Sequence, residues 1–329
     1  MSDVDQPIVK TPDAVVVVPG IMGSELVDTG TGEVLWGLEP RILARSWARG
    51  RLPDLEVTDE DLAGHGRVRP TRLLRVPAYA PFLGGIEPYR NLLGAVAHAA
   101  LSPVAVTEFA YDWRLPVAHN APLLAAHCHR ALDRWRRAVT DHSLADPDEV
   151  RLSIVAHSMG GLVSWRAITH DASLAAQVRQ LVTLGTPFYG SVNAVRMLAT
   201  GAGGPPPVPH RAARSLARTC PGVYDLLPRY RCVSDPSAGT ARTRRLIVAD
   251  VVAAGGRLDL AEAAESAWSQ LGLPGTTTPS SEVALHCVAG TDQPTVQEFT
   301  RDSEGTHLFL ESHEGSDRSG DSTVPRMSA

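Results

Sequence analysis

Apolar residues along the chain follow two spacings, and their succession predicts strands alternating with helices. The run AVVVV over Ala14–Val18, closed by Pro19-Gly20, has the pattern of a strand buried on both faces. Helical spacing predicts a helix over 86–100, and VAVTEF predicts a strand over 104–109. An amphipathic helix follows over 122–140, where Leu124, Cys128, Ala131, Trp135 and Ala138 share one stripe and Arg130, Arg134 and Arg137 lie elsewhere. Residues 150–155 alternate and then run apolar, a strand rich in β-branched side chains. A turn and a second helical pattern lead to VRQLVTL over Val178–Leu184, another strand, and EVALHCVA over 282–289 returns as the last. Strand, helix, strand, helix, strand predicts a doubly wound α/β fold with a mostly parallel sheet.

Two stretches interrupt this order. Residues 25–81 show no clean alternation and carry Trp36, Trp47 and the arginines Arg41, Arg45, Arg49 and Arg51. They read as an excursion from the sheet, either packed as a small subdomain or touching a lipid interface. Residues 200–281 open on GAGGPPPVP and lack strand alternation, with a helix expected over 260–271; this is a natural place for a lid. The whole of 1–329 is expected to form a single domain carrying these two insertions.

Composition narrows the functional classes. Hydrophobic residues make up 43 % of the 329, enough for a substantial core, and aromatics only 5 %, so Val, Leu and Ala must fill it. A formal charge of −5 without a basic block argues against a nucleic-acid partner. The N-terminus MSDVDQPIVKTPD has no apolar core of a secretory signal, and no apolar run is long enough to span a bilayer; a cytoplasmic location is the expectation. Cys128, Cys220, Cys232 and Cys287 form no C-x-x-C and are expected as free thiols, with Cys220–Cys232 the one pairing a lid loop would allow. His127, Cys128 and His129 are consecutive on a helix, pointing about 100° apart, and cannot share a metal. No metal or cofactor is expected.

The stretch that carries chemistry is Val150–Gly161, VRLSIVAHSMGG. Strand, small-x-Ser-x-small turn and helix is the arrangement of a nucleophile elbow. Its sharp turn lifts the Ser158 hydroxyl clear of the backbone. Ala156 and Gly160 are the small residues that let strand and helix approach, with Ala156 in place of the usual glycine. The helix N-terminus and the N–H of Met159 would stabilise an oxyanion. In such sites a loop after an early strand supplies the second N–H, which makes Ile21, after Pro19-Gly20, the candidate. An ordinary strand-to-helix turn with a buried serine is the alternative.

Four motifs in order, VVVVPGIMGSEL near the N-terminus, YDWR at 111–114, AHSMGGL at 156–162 and GDSTVP at 320–325, resemble the lecithin:cholesterol acyltransferase family, which includes lysosomal phospholipase A2 and phospholipid:diacylglycerol acyltransferases. LVTLGTPFYGS and CPGVYDLLP match the family pattern as well. The resemblance implies an α/β-hydrolase fold, a lipid ester substrate and a Ser–Asp–His triad, with Ser158 as nucleophile, Asp321 as acid, and Ile21 and Met159 as oxyanion donors. It likens 25–81 to a membrane-binding subdomain and 200–281 to a lid. Asp112 and Arg114 match positions near the family's site; a structural ion pair at a strand end is the favoured reading.

One departure stands out: no histidine follows Asp321, whereas His307 and His313 precede it. Truncation of a longer protein is the favoured explanation, and an Asp292–His313 pairing the other. The expected function is a serine acyl-ester hydrolase or acyltransferase acting on a lipid through an acyl-enzyme. A catalytically inactive binding module on the same scaffold and a soluble carboxylesterase for small esters are the alternatives.

Overall fold

The computed structural model describes residues 10–37, 53–75, 89–202, 208–234, 242–274, 282–302 and 304–329. In chain order the described strands are β1 (Ala14–Val18), β2 (Ser24–Asp28), β3 (Val34–Trp36), β4 (Val68–Leu73), β5 (Val106–Glu108) and β6 (Leu152–His157), then β7 (Val178–Leu184), β8 (Arg231–Ser234), β9 (Thr243–Arg245), β10 (Ala284–Val288), β11 (Glu298–Arg301) and β12 (His307–Leu310). Five of them form the central sheet in the order β10-β7-β6-β1-β5, and every pairing in it is parallel. All of β1 is buried, as its unbroken apolar run requires. The chain passes from β1 to β5 on one side and then to β6 on the other. That reversal opens a crevice at the carboxyl ends of the strands, where ligands of open α/β sheets bind.

The crossovers are helical. Val117–His142 links β5 to β6 and buries Leu124, Cys128, Ala131 and Trp135, the stripe read from the sequence. It starts five residues before the expected Pro122, because the cap comes from far along the chain: the Val117 N–H donates to Asp225 Oδ2 at 2.6 Å. Met159–His170 and Ala172–Gln177 link β6 to β7.

Both interruptions contain sheet that the alternation did not predict. In the described part of 25–81, β3-β2-β4 form an antiparallel sheet whose register shifts at irregularities. Trp36 is buried there: its Nε1 donates to the Met22 carbonyl, and its ring meets that of Trp113 edge-on at 5.2 Å. Trp36 therefore packs the subdomain and is not a lipid contact, while Trp47 and the Arg41–Arg51 patch lie outside the described residues. In the second stretch β8 and β9 join the later hairpin β11–β12 in a sheet of order β12-β11-β8-β9. The helices His210–Thr219, Pro221–Tyr224, Val248–Ala253 and Leu258–Leu271 complete it. All four cysteines are free, with Cys220 and Cys232 each buried. No helix among the described residues is long and apolar enough to cross a membrane.

Candidate active site

Strand β6 ends at His157, and the next helix begins at Met159; Ser158 makes the whole turn between them, with φ 51° and ψ −126°. A side chain in that region costs on the order of 1–3 kcal/mol, so neighbouring contacts must hold it there. Ser158 N–H donates to the Leu184 carbonyl at 2.9 Å. The Ser158 carbonyl accepts from Gly161 N–H and from Thr186 Oγ1. Two glycines make the close approach possible. A Cβ on Gly160 would lie 2.3 Å from the Pro19 carbonyl oxygen, and one on Gly161 would lie 2.0 Å from Thr186 Oγ1. Ala156 is tolerated because its methyl points into the core.

The loop after β1 lies directly against this turn. A Cβ on Gly20 would sit 2.8 Å from Ser158 Cβ. Gly23 N–H donates to the Gly20 carbonyl, closing a turn with Met22 at φ 63°. The Tyr89 hydroxyl fixes the loop: it accepts from Gly20 N–H at 2.7 Å and shares a hydrogen bond with His157 Nδ1 at 2.8 Å. Burial holds the His157 pKa down to about 4, against the pull of nearby Asp321. The N–H groups of Ile21 and Met159 donate to nothing among the described residues. Among the described residues two donors are thus unused, one in the loop after β1 and one at the start of the helix after β6.

Asp321 arrives from far along the chain. After β10 the chain leaves through the β11–β12 hairpin and returns, so that Gln293 and Asp321 form a parallel bridge. Asp321 Oδ1 accepts from Thr323 N–H and Val324 N–H at 2.9 and 2.7 Å. Its Oδ2 lies against Gly185, where a Cβ would approach to 2.7 Å; Gly185 has φ 56°. Gly185 follows β7, whose Leu184 pairs with His157. The carboxylate therefore stands at the same end of the sheet as Ser158, and Oδ2 and Ser158 Oγ have no hydrogen-bond partner among the described residues.

The alternative pairing is not assembled. Asp292, with φ 62°, accepts from Thr291 Oγ1 and donates its N–H to Ser319 Oγ. His313 is held in the second sheet, its Nε2 at 2.7 Å from the Arg231 carbonyl and its ring edge-on to Tyr230. His307 packs between Phe299 and Phe309. All twelve histidines of the chain fall among the described residues, and none hydrogen-bonds Ser158 or Asp321.

Asp112 and Arg114 form a buried ion pair. The Arg114 guanidinium, fully buried, takes Asp112 in a fork, reaches Asp61 Oδ1 at 3.1 Å and donates to the Leu55 carbonyl. Its neighbouring carboxylates raise its pKa against the lowering effect of burial. This network locks the described part of the first interruption to the end of β5. The sequence reading missed Asp61, Tyr89 and Asp225. Asp61 carried a local signal in the Thr58-x-x-Asp61 capping box, and Asp225 lies within the CPGVYDLLP match, while Tyr89 had none. Among the described residues no group of three or more His, Cys, Asp or Glu is placed to hold a metal.

The chain is similar to known proteins in fold and in sequence family. A solved structure titled "The crystal structure of Tle4-Tli4 complex" contains a chain that aligns with a TM-score of 0.62 at 15 % identity, over 97 % of this chain and 89 % of that one, which shows a shared fold. The mature lipase BlEst2 of Bacillus licheniformis aligns at a TM-score of 0.28 and 15 % identity over 68 % of this chain and 58 % of that one. No curated protein sequence matches. The family model described as "Lecithin:cholesterol acyltransferase" matches residues 81–253, which hold the YDWR segment, the Ser158 turn and the segment up to Ala253. The chain belongs to the lecithin:cholesterol acyltransferase family and has the α/β-hydrolase fold of a lipid ester hydrolase or acyltransferase.

Proposed function

We propose that Ser158 is the nucleophile of a serine acyl-ester hydrolase or acyltransferase acting on a lipid ester. The observation that carries this reading is the strained Ser158 between two unused N–H donors, with an open carboxylate at the same sheet end. Ser158 Oγ attacks the ester carbonyl as its proton passes to a base. The carbonyl oxygen, now negative, accepts from Ile21 N–H and Met159 N–H. Collapse expels the alcohol, which takes the proton, and leaves an acyl-enzyme; water or a second alcohol then takes the acyl group. Asp321 is the acid that would orient and stabilise a protonated imidazole. In this reading the described part of 200–281 serves as a lid and the described part of 25–81 as a packed subdomain.

A second reading has its own support. The base is a histidine in the related mechanism, and no histidine hydrogen-bonds either Ser158 or Asp321. Without the base, an oxyanion hole and binding leave only about 10³–10⁴-fold acceleration over water. The chain would then bind lipid with little turnover. A fluorophosphonate probe with mass spectrometry, run beside hydrolysis of a short-chain aryl ester, separates the two readings. Labelling at Ser158 with turnover supports the enzyme. Lipid binding without labelling supports the binding module.

A further inference from the structure

The two peptide planes that flank Ser158 are both tied to one short segment, residues 184–186. The plane before it is held by the Ser158 N–H, which donates to the Leu184 carbonyl at 2.9 Å. The β6–β7 ladder ends there, with His157 paired to Leu184, because the backbone then turns away at φ 51°. Past that point a side chain takes over from the ladder: Thr186 Oγ1 donates to the Ser158 carbonyl at 3.0 Å. The segment is anchored on its other side as well, where Gly185 N–H donates to the Val288 carbonyl of β10 at 2.8 Å.

Thr186 is buried, and its hydroxyl is used differently from those on the helices. Thr140, Ser164, Thr169 and Thr200 each return a hydroxyl to the carbonyl four residues earlier in their own helix. Thr186 instead reaches a residue 28 positions away. A Cβ on Gly161 would lie 2.0 Å from Thr186 Oγ1 and 2.6 Å from its Cγ2, so that glycine admits both branches of the side chain. A β-branched side chain is stiff at χ1, and packing on both branches keeps the hydroxyl aimed. The Ser158 carbonyl also accepts from Gly161 N–H at 2.9 Å, but that donor belongs to the helix Met159–His170 and moves with it. Among the described residues Thr186 is therefore the tie between this carbonyl and the sheet.

A trans peptide is planar, so its C=O and the N–H that follows point in opposite directions within one plane. Pinning the Ser158 carbonyl thus sets the direction of Met159 N–H. Pinning the planes on both sides of Ser158 sets its φ and ψ, and with them the direction of its side chain. We propose that Thr186 is a positioning residue: its hydroxyl fixes the 158–159 peptide plane and so aims Met159 N–H and Ser158 Oγ together. The chemical consequence rests on the reading of those two groups as oxyanion donor and nucleophile; the hold on the plane does not. A hydroxyl hydrogen bond of ordinary strength changes the population of the held turn about five- to tenfold.

The test compares the full chain with Thr186→Val, which keeps the shape and removes the hydroxyl, and with Thr186→Ser, which keeps the hydroxyl. Thr186→Ala replaces the valine variant should that one not fold. Two quantities are measured: fluorophosphonate labelling of Ser158 across probe concentration, and amide hydrogen exchange of Ser158 and Gly161 by NMR beside that of the β1 amides. In Thr186→Val the saturating labelling rate should fall about tenfold at an unchanged half-saturating concentration, and the Ser158 and Gly161 amides should exchange about five- to tenfold faster with β1 unaffected. Thr186→Ser should return both to within about twofold of the parent. Parent-like labelling and exchange in Thr186→Val overturn the proposal. So does an equal loss in the valine and serine variants, which would assign the effect to the methyl, or exchange that rises equally in β1, which would make it a general loosening. Absence of labelling in every protein would remove the nucleophile reading, and the amide exchange alone would then decide whether Thr186 holds the plane.

Discussion

At the N-terminal end of the parallel sheet, Asp13 is fully buried, and both carboxylate oxygens are in use: they accept from Arg151 N–H, Ser153 Oγ and the Arg179 guanidinium. Arg136 there donates to the Val150 carbonyl and to Gln177. At the C-terminal end, among the described residues, one oxygen of Asp321, Ser158 Oγ and the N–H groups of Ile21 and Met159 have no hydrogen-bond partner. Backbone strain gathers at that end too. Met22, Ser158, Asp292, Ser319 and Ser322 are five of the seven described non-glycine residues with positive φ. One end spends its polar groups on holding strands together; the other holds polar groups unspent and in strained backbone. Unused groups beside strain mark the end at which a ligand would complete the hydrogen bonding.

The largest effect that could break this contrast is expected at Ser158. Ser158→Ala should abolish fluorophosphonate labelling, and labelling that persisted would remove Ser158 from the site. Ser158→Gly should abolish it too while raising stability by up to about 1 kcal/mol, because glycine adopts φ 51° without the side-chain clash. A lower melting temperature in the glycine variant would show that the turn is not strained.

Asp13→Ala tests the other end. It leaves the Ser153 hydroxyl and the Arg151 N–H without their acceptor, while half-exposed Arg179 regains water. A loss of about 2–3 kcal/mol in urea unfolding is expected, with labelling of Ser158 unchanged wherever the chain is folded. A drop in labelling at temperatures where the fold persists would show the two ends to be coupled.

Asp225 ties the second interruption to the sheet's longest helix, and burial pushes its carboxyl up to about 6. A folded pKa above the unfolded value means that the native state holds the proton more tightly. Stability from this group is therefore complete below about pH 4 and lost as pH rises through about 6. Unfolding followed from pH 4 to 8 should show the wild type losing about 2 kcal/mol relative to Asp225→Asn, in which the slope from this group disappears. Parallel curves for the two proteins would mean that Asp225 is ionised throughout.

The smallest effect sharpens the comparison within the site. Tyr89→Phe deletes the hydroxyl joining Gly20 N–H to His157 Nδ1, at about 1 kcal/mol of stability. Because it frees the loop that bears Ile21, the labelling rate of Ser158 should fall about tenfold while urea unfolding moves little. An unchanged rate would leave Tyr89 a packing residue only.

Much of this architecture was legible in local pattern. The unbroken run of β1, the strand–turn–helix around Ser158, the alternation of β7 and the stripe on Val117–His142 each answer to periodicity within a dozen residues. Strand β6 sits two residues later than read, because Ala156 and His157 carry no β-branched signal and are extended only through pairing with Thr183 and Leu184. Strands β2–β4 and β11–β12 were missed: β3 spans three residues, β4 contains Pro70, and their pairings are made between distant segments.

By itself the sequence determined which residues could do chemistry and which segments could be strand or helix, since side-chain identity and hydrophobic period are local properties. The tertiary structure alone decided which of those residues meet. Asp321 reaches the Ser158 end of the sheet because the β11–β12 hairpin returns the chain to Gln293 and because Gly185 leaves room for the carboxylate. His313 stays away because the Arg231 carbonyl holds it in the second sheet. The Val117 cap and the Tyr89 clasp join residues far apart in the chain, and no periodicity encodes a contact whose two halves are set by the packing of separate elements.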